Sequence, residues 1–138
     1  MPQVRIQVLC GPASVHPHRM AWPAGATWHG EWYAWRLIGT NNHELGRSAL
    51  SFRSYQSALA AFAELRGGLD RLVQQLVPER PTGRWGWRLE LDGAAVAVSG
   101  RWYQRNKLSL LGAAKFVALC AEAEPAGGVV ARPDRGPR

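Results

Sequence analysis

Residues 84–89 read Arg-Trp-Gly-Trp-Arg-Leu and residues 32–37 read Trp-Tyr-Ala-Trp-Arg-Leu, so one short aromatic pattern occurs twice in the chain. The same kinds of residue follow each copy in the same order. They are a polar or glycine turn (40–42; 92–93), an apolar and small segment (45–48; 96–99), an aromatic residue (Phe52; Tyr103) and a stretch with helical spacing that ends near Leu65 or Leu119. Such an ordered series indicates an internal repeat.

Each copy begins with the pattern of strands joined by a tight turn. Residues 87–91 alternate apolar and charged side chains, which is typical of a strand with one buried face. The Asp-Gly pair at 92–93 predicts the turn because both residues tolerate a positive φ. Asn-Asn at 41–42 is a weaker turn signal at the equivalent position of the first copy. Residues 4–8 alternate Val, Ile and Val with polar residues, so they supply one more strand to the first copy.

Each copy ends with the pattern of a helix. Ser54 is in position to cap a helix that ends at Gly67-Gly68, and its apolar stripe is Tyr55, Ala58, Leu59, Phe62 and Leu65. In the second copy, Asn106 is the predicted cap. The predicted apolar stripe there is Leu110, Leu111, Ala114, Val117 and Ala118, and Pro125 and Gly127-Gly128 are the predicted stop.

The segment 72–77 fits a strand or a helix, because its apolar residues and Leu69 also match a helical stripe. The symmetry of the repeat favours the strand. The predicted fold is therefore α+β, with two tandem βββα repeats, each an antiparallel three-stranded sheet with one packed helix. The predicted units are residues 1–68, with a long loop at 11–30, and residues 69–124. Residues 125–138, rich in Pro, Gly and Arg, are predicted to form a disordered basic tail.

The second copy carries a family resemblance in Trp87-Arg88-Leu89, Asp92-Gly93, the small segment 96–100 and Tyr103. With the first copy, from Trp35 onward, it resembles the small tandem-repeat YegP-like proteins, a family of unknown function. The resemblance covers roughly residues 30–122 and the strand before each hairpin. It implies a βββα unit used twice, with the two units sharing a sheet or exchanging strands. It implies no activity and no catalytic residues, and the long loop 11–30 departs from the family's tight turn.

The composition limits the class of protein. Of the 138 residues 46% are hydrophobic, which is enough for a core, and the net charge is +7. No apolar run approaches the length of a membrane span, and the first ten residues lack the pattern of a secretory signal. The two cysteines exclude a disulfide framework. We therefore expect a soluble, cytoplasmic protein that does not associate with membranes.

Residues that could carry catalysis or bind a metal show no established pattern. Cys10, His16, His18 and His29 are natural zinc ligands, but their spacing is not that of a known site and no Cys-x-x-Cys pair accompanies them. The sequence has no Gly-x-Ser-x-Gly motif, and Cys120 lies in an apolar helical stretch, where a cysteine is normally a core residue. We expect no enzymatic activity, no catalytic residues, no cofactor and no metal.

Arginine side chains define the leading functional hypothesis. If Trp35 and Trp87 face the helices, Arg36 and Arg88 point to the other face of the sheet, because successive residues of a strand alternate. An open sheet face with arginine and aromatic side chains can enter a DNA groove or stack on unpaired bases. We therefore predict association with DNA or RNA, helped by the basic tail, through Arg36, Arg47, Arg88, Arg101 and Trp32.

The alternative hypothesis is a protein-interaction or oligomerisation module. A small one-sided sheet gains stability by burying its second side, either against the other repeat or against a second chain. The loop 11–30 also contains Arg19, Trp22 and Trp28, residue types that anchor protein interfaces, although the tryptophans would equally cover an open edge of the core. This alternative predicts a homodimer or a complex with another protein.

Overall fold

The computed structural model describes residues 3–12 and 30–131, with 125–131 as backbone alone. The fold class is α+β, as predicted. Seven strands and two helices follow one another in these residues: β1 (Arg5–Pro12), β2 (Glu31–Ile38), β3 (Glu44–Ser48), α1 (Tyr55–Gly67), β4 (Val73–Glu79), β5 (Arg84–Leu91), β6 (Ala94–Ser99), α2 (Asn106–Cys120) and β7 (Glu124–Ala131). Neither helix combines the length and the apolar character needed to cross a bilayer.

All seven strands form one sheet in the order β4-β5-β6-β3-β2-β1-β7. Within the six strands from β4 to β1, each adjacent pair is antiparallel, and β7 runs parallel to β1 at the end of the sheet. The pairing of β3 with β6 joins the first three strands to the second three, with Arg47 opposite Val98. The two halves of the chain therefore share a sheet instead of forming separate bodies.

Several local predictions are confirmed by the structure. Residues 73–79 form a strand, β4, paired along its length with β5. The Ser54 side chain accepts a hydrogen bond from the backbone N–H of Ser57 at 3.0 Å, and α1 ends at Gly67 with Gly68 as its C-cap. Asp92 and Gly93 both have positive φ, as the tight turn between β5 and β6 requires.

Three boundaries differ from the predictions. The predicted tail begins inside a strand, because residues 124–131 pair with β1, where the neighbouring strand satisfies backbone groups that a free tail would expose to water. Arg105, not Asn106, is the N-cap of α2, and that helix ends at Cys120, before Pro125. Gly11 and Pro12 belong to β1 instead of the predicted loop. Residues 13–29 and 132–138 lie outside the described part of the chain.

Both helices pack on one face of the sheet over a core of aromatic rings. Trp35 of β2 meets Phe62 of α1 edge-on at 5.1 Å between ring centroids, and it stacks on Phe116 of α2 at 6.1 Å. Phe116 also contacts Trp87 of β5 at 5.0 Å. All four rings are at most 5% exposed, so Trp35 and Trp87 face the helices, which is the condition on which the predicted direction of Arg36 and Arg88 depends.

Gly46 of β3 makes room for these rings. A Cβ on Gly46 would lie 2.7 Å from both Phe116 Cδ1 and Trp87 Cη2, well inside contact distance. The sheet therefore needs a residue without a side chain where α2 and β5 of the second half close over β3 of the first. Gly46 lies at the junction where the two halves share their core.

Candidate binding surfaces

A row of side chains, polar except for one valine, crosses the sheet on the face away from the helices. The registers of the pairing place one residue from each of six strands side by side: Gln75, Arg88, Val98, Arg47, Arg36 and Gln7. The row contains three of the five residues predicted to bind nucleic acid. The predicted alternation of Arg36 and Arg88 with Trp35 and Trp87 is therefore what the strands adopt.

Glu44 lies between Arg36 and Arg47, the two arginines that the first half contributes to the row. Its carboxylate accepts hydrogen bonds from Arg47 Nε at 2.6 Å and Arg47 Nη2 at 2.9 Å, and from Arg36 Nη1 at 3.4 Å. Arg36 also donates to Gln7 Oε1 through Nε at 2.8 Å. The Arg47 side chain is only 14% exposed. A register shift between Leu37 and Ile38 sets Glu44 opposite Ile38, which brings its carboxylate within reach of both guanidinium groups.

The second half repeats part of this arrangement. Arg88 donates to Gln75 Oε1, and its Nε lies 3.4 Å from Glu90 Oε2. Glu90 also accepts from Gln75 Nε2 at 3.4 Å. The Arg88 side chain is 41% exposed, more than that of Arg36 or Arg47. Two carboxylates thus balance much of the charge of the three arginines, and this lowers the attraction of the row for phosphate.

Two residues predicted for the same surface do not join the row. Trp32 lies on the predicted face of β2 but is only 1% exposed, in a cluster with Leu9 and Ala34. The Trp32 indole lies so close to Gly11 that a Cβ on Gly11 would be 2.8 Å from Trp32 Cζ2. The ring therefore packs on the sheet and is not available for stacking on bases. Arg101 lies beyond β6 over the ring of Tyr103, with 4.8 Å between Cζ and the ring centroid.

Helix α2 exposes apolar side chains to solvent. Val73, Leu108, Leu110 and Leu111 are the exposed large apolar residues within the described ranges, and the three leucines all belong to α2. We define the outer face of α2 as the exposed residues Lys107, Leu108, Leu110, Leu111, Ala114 and Lys115. No residue from 101 to 118 is acidic, and Arg101 and Arg105 add to the positive charge next to this face. The outer face of α2 is therefore apolar and basic.

The predicted apolar stripe of the second helix is wrong except for Val117, which is partly buried and packs against the core. Leu110, Leu111, Ala114 and Ala118 are exposed, and the side that packs on the sheet consists of Ser109, Ala113, Phe116 and Cys120. Phe116 decides the orientation because its ring fills the space above Gly46. Helix α1 differs: its predicted residues Ala58, Phe62 and Leu65 are buried, and its exposed residues are Gln56, Ser57, Ala60, Ala63, Glu64, Arg66 and Gly67.

A pocket of about 360 Å³, here called the α2 pocket, lies between the β2–β3 turn and α2. Its lining residues are Asn41, His43, Glu44, Leu45, Arg101, Tyr103, Leu108, Leu111, Gly112 and Lys115. Gly112 lets Tyr103 lie against the helix, since a Cβ there would stand 2.8 Å from Tyr103 Cζ. The pocket contains Arg101 from the predicted set, and Lys115 and the leucines were not predicted as site residues. The signal in the sequence that could have indicated this pocket is a group of leucines with basic residues on both sides, within residues 101–115.

The thiols and histidines offer little chemistry within the described residues. Burial raises the pKa of Cys120 to about 12, and burial together with Glu31 raises the pKa of Cys10, so both thiols are less reactive than a free cysteine. No cluster of three or more His, Cys, Asp or Glu side chains in the described part of the chain could hold a metal ion. His16, His18 and His29 lie outside it, as do Arg19, Trp22 and Trp28.

Comparison with known proteins confirms the resemblance at the level of the fold. Two solution NMR structures are similar to this chain: a protein of unknown function, yegP, from E. coli, and a UPF0339 protein from Shewanella oneidensis. The first is 12% identical, with a TM-score of 0.55, over 96% of this chain and 93% of that one. The second is 8% identical, also with a TM-score of 0.55, over 91% and 90%.

At these identities the likeness shows a shared fold, and neither protein has a stated function. No family model matches the chain. No curated protein matches it either.

Proposed function

We propose that this chain is a non-catalytic binding protein that docks an acidic partner protein on the outer face of α2. The observation that carries the proposal is the contrast between the two helices. Both cover the same face of one sheet, but α2 exposes three leucines and two lysines where α1 exposes small, polar and charged residues. A solvent-facing helix side is normally polar, so exposed leucines grouped on one helix favour an interaction surface.

The charges near α2 favour an acidic partner over a second copy of this chain. Arg101, Arg105, Lys107 and Lys115 lie in or beside α2 without a neighbouring acid in sequence. A symmetric dimer through this face would bring the same cations towards one another, which costs free energy. A partner with carboxylates around an apolar centre meets both properties of the face, because basic and apolar groups would each find their complement.

Nucleic acid is the second candidate, and the same four cations favour it. The row of arginines on the sheet is less suited to phosphate than its sequence suggests, because Glu44 and Glu90 pair with it. Phosphate also gains nothing from exposed leucines. The interface role of Arg19, Trp22 and Trp28 stays a prediction.

We also infer that the two halves descend from one βββα unit. Three paired features support this origin. The backbone N–H of Trp35 donates to Ser48 Oγ at 3.3 Å, and that of Trp87 donates to Ser99 Oγ at 3.2 Å. Tyr33 and Phe52 form an isolated antiparallel β-bridge, and Trp85 and Tyr103 form the equivalent one. The Gln7–Arg36 and Gln75–Arg88 hydrogen bonds occupy matching strands. The outer face of α2 is then a feature in which the second copy differs from the first.

The test is capture of partners from nuclease-treated extract of the organism's own cells, with immobilised full chain in three forms. Leu111→Gln changes the most exposed leucine, and Val73→Thr is the matched control because Val73 is 55% exposed on β4. Leu111 is 58% exposed. Burying that remaining surface is worth roughly 1 to 1.5 kcal/mol, so Leu111→Gln should weaken binding about tenfold.

The expected result is a protein whose capture by the parent chain and by Val73→Thr is equal and by Leu111→Gln is much weaker. Glutamine and leucine have similar helix propensities, so the folded state should be unchanged, and unfolding by urea checks this. Equal capture by all three forms would refute the docking surface. Absence of any captured protein from the nuclease-treated extract, together with binding of DNA or RNA that collapses by about 200 mM salt, would favour the second candidate.

A further inference from the structure

The charge of the α2 pocket is positive although a carboxylate borders it. Glu44 already accepts hydrogen bonds from Arg47 and Arg36, so its negative charge is balanced outside the pocket. Arg101 and Lys115 form no ion pair with any residue in the described ranges. They enter the pocket from different elements, the segment after β6 and helix α2. A negative group between them would receive two charge-assisted contacts.

The rest of the lining is suited to an apolar group. Leu45, Leu108, Leu111 and the ring of Tyr103 form an apolar surface beside the two cations. Tyr103 also holds the Arg101 guanidinium over its ring, which limits the rotamers of a long side chain before any ligand arrives. A volume of about 360 Å³ is within the usual range for small-molecule sites.

We propose that the α2 pocket binds a carboxylate carried on an apolar stem. The carboxylate lies between Arg101 and Lys115, and the stem lies along Leu108, Leu111 and Tyr103. Planar guanidinium groups bind carboxylates through two parallel hydrogen bonds, so Arg101 provides most of the selectivity for charge. The pocket shares Leu108, Leu111 and Lys115 with the outer face of α2, whereas Arg101 and Tyr103 belong to the pocket alone and Leu110 to the outer face alone.

The experiment is an NMR titration of the full chain, labelled with ¹⁵N, at 100 mM salt. The probe is 4-phenylbutyrate, and 4-phenylbutyramide is the neutral match in shape. We expect saturable shifts for Gly112, Leu111 and the β2–β3 turn with the acid, and at least tenfold weaker binding of the amide. Arg101→Gln should weaken binding of the acid at least tenfold, and Leu110→Gln should leave it unchanged.

This titration needs no partner protein, so its result does not depend on the docking proposal. Absence of saturation, equal binding of acid and amide, or unchanged binding in Arg101→Gln would each overturn the pocket proposal. The capture experiment repeated with Arg101→Gln then identifies the source of the natural carboxylate, because Arg101 belongs to the pocket and not to the outer face of α2. Capture weakened about tenfold assigns the carboxylate to an acidic side chain of the partner, and undiminished capture assigns it to a free organic acid.

Discussion

Replacing Gly46 by alanine tests how the two halves are joined. The new Cβ would lie 2.7 Å from both Phe116 Cδ1 and Trp87 Cη2. Carbon atoms pack at about 3.5 Å or more, so the rings must move by roughly 0.8 Å. Both rings are fully buried, and Phe116 is held between Trp35 and Trp87, so neither can swing into solvent. The strain falls on the shared core.

Two opposing terms set the size of the effect. Overpacking of a core costs about 1–3 kcal/mol, and alanine regains about 0.5–1 kcal/mol relative to glycine in a strand because the unfolded chain is less flexible. The free energy of unfolding should therefore fall by about 1–2 kcal/mol. With a slope of about 2 kcal/mol per molar urea, the midpoint of unfolding should fall by about 0.5–1 M.

Urea unfolding followed by tryptophan fluorescence measures this change. Gly67→Ala is the matched control because nothing lies within 4 Å of its added Cβ at the end of α1, and it should raise stability by up to about 1 kcal/mol. Phe116→Leu combined with Gly46→Ala should be more stable than the sum of the two single changes predicts. A midpoint for Gly46→Ala at or above that of the parent chain would refute the contact of β3 with Phe116 and Trp87.

Three further predictions follow from single side chains. Ser48→Ala and Ser99→Ala should each lower the free energy of unfolding by about 1–2 kcal/mol, because each leaves a buried backbone N–H unpaired. Unequal losses in urea titrations would contradict the equivalence of the two serines in the two halves. Glu44→Gln removes the negative charge that balances Arg36 and Arg47, so it should lower the free energy of unfolding by about 1–3 kcal/mol. It should also strengthen binding of single-stranded DNA at low salt, measured by fluorescence anisotropy, and unchanged affinity would show that the row of arginines does not contact phosphate. Burial raises the pKa of the Cys120 thiol from 9.0 to about 12, so between these pH values the folded chain keeps a proton that the unfolded chain loses. The free energy of unfolding should therefore decline as pH rises from 9 towards 12. By pH 10 the parent chain should lose about 1 kcal/mol that Cys120→Ala does not lose, as measured by urea unfolding.

The sequence predicts the strands and their faces well because alternation is a local property. Arg36 and Arg88 point away from the helices, as their alternation with tryptophan predicts. The exposure of those faces is a tertiary property. Trp32 lies on the expected side of β2, yet it is buried against Leu9 and Gly11 of β1. Alternation places a side chain on a face, but only the assembled sheet determines whether that face meets solvent.

The orientation of α2 could not be read from its sequence because apolar residues surround the helix on every side. The stripe richest in leucine, which includes Leu110 and Leu111, is the exposed one. The buried side includes Ser109 and Cys120, and it is selected by the fit of Phe116 over Gly46, residues far apart in the chain. The strand β7 was missed for a similar reason, since Pro125 and Gly127-Gly128 have weak strand propensity and pairing with β1 overrides it.

The ion pairs of the arginine row depend on an irregularity in the sheet. Glu44 comes opposite Ile38 only because the register of β2 and β3 shifts by one residue after Leu37. Without that shift, its carboxylate would not lie between Arg36 and Arg47. Sequence patterns do not predict such a bulge, so the net charge of the sheet face could not be anticipated from a count of arginines.

Photo-crosslinking in the organism's own cells tests directly whether the outer face of α2 docks a partner protein. A photoreactive phenylalanine derivative would replace Leu111 on α2, and Ala60 on α1 and Val73 on β4 would serve as controls at exposed positions. We expect a discrete, nuclease-resistant protein adduct from position 111 and none from positions 60 and 73. Adducts of equal yield from all three positions, or an adduct with nucleic acid alone, would contradict it.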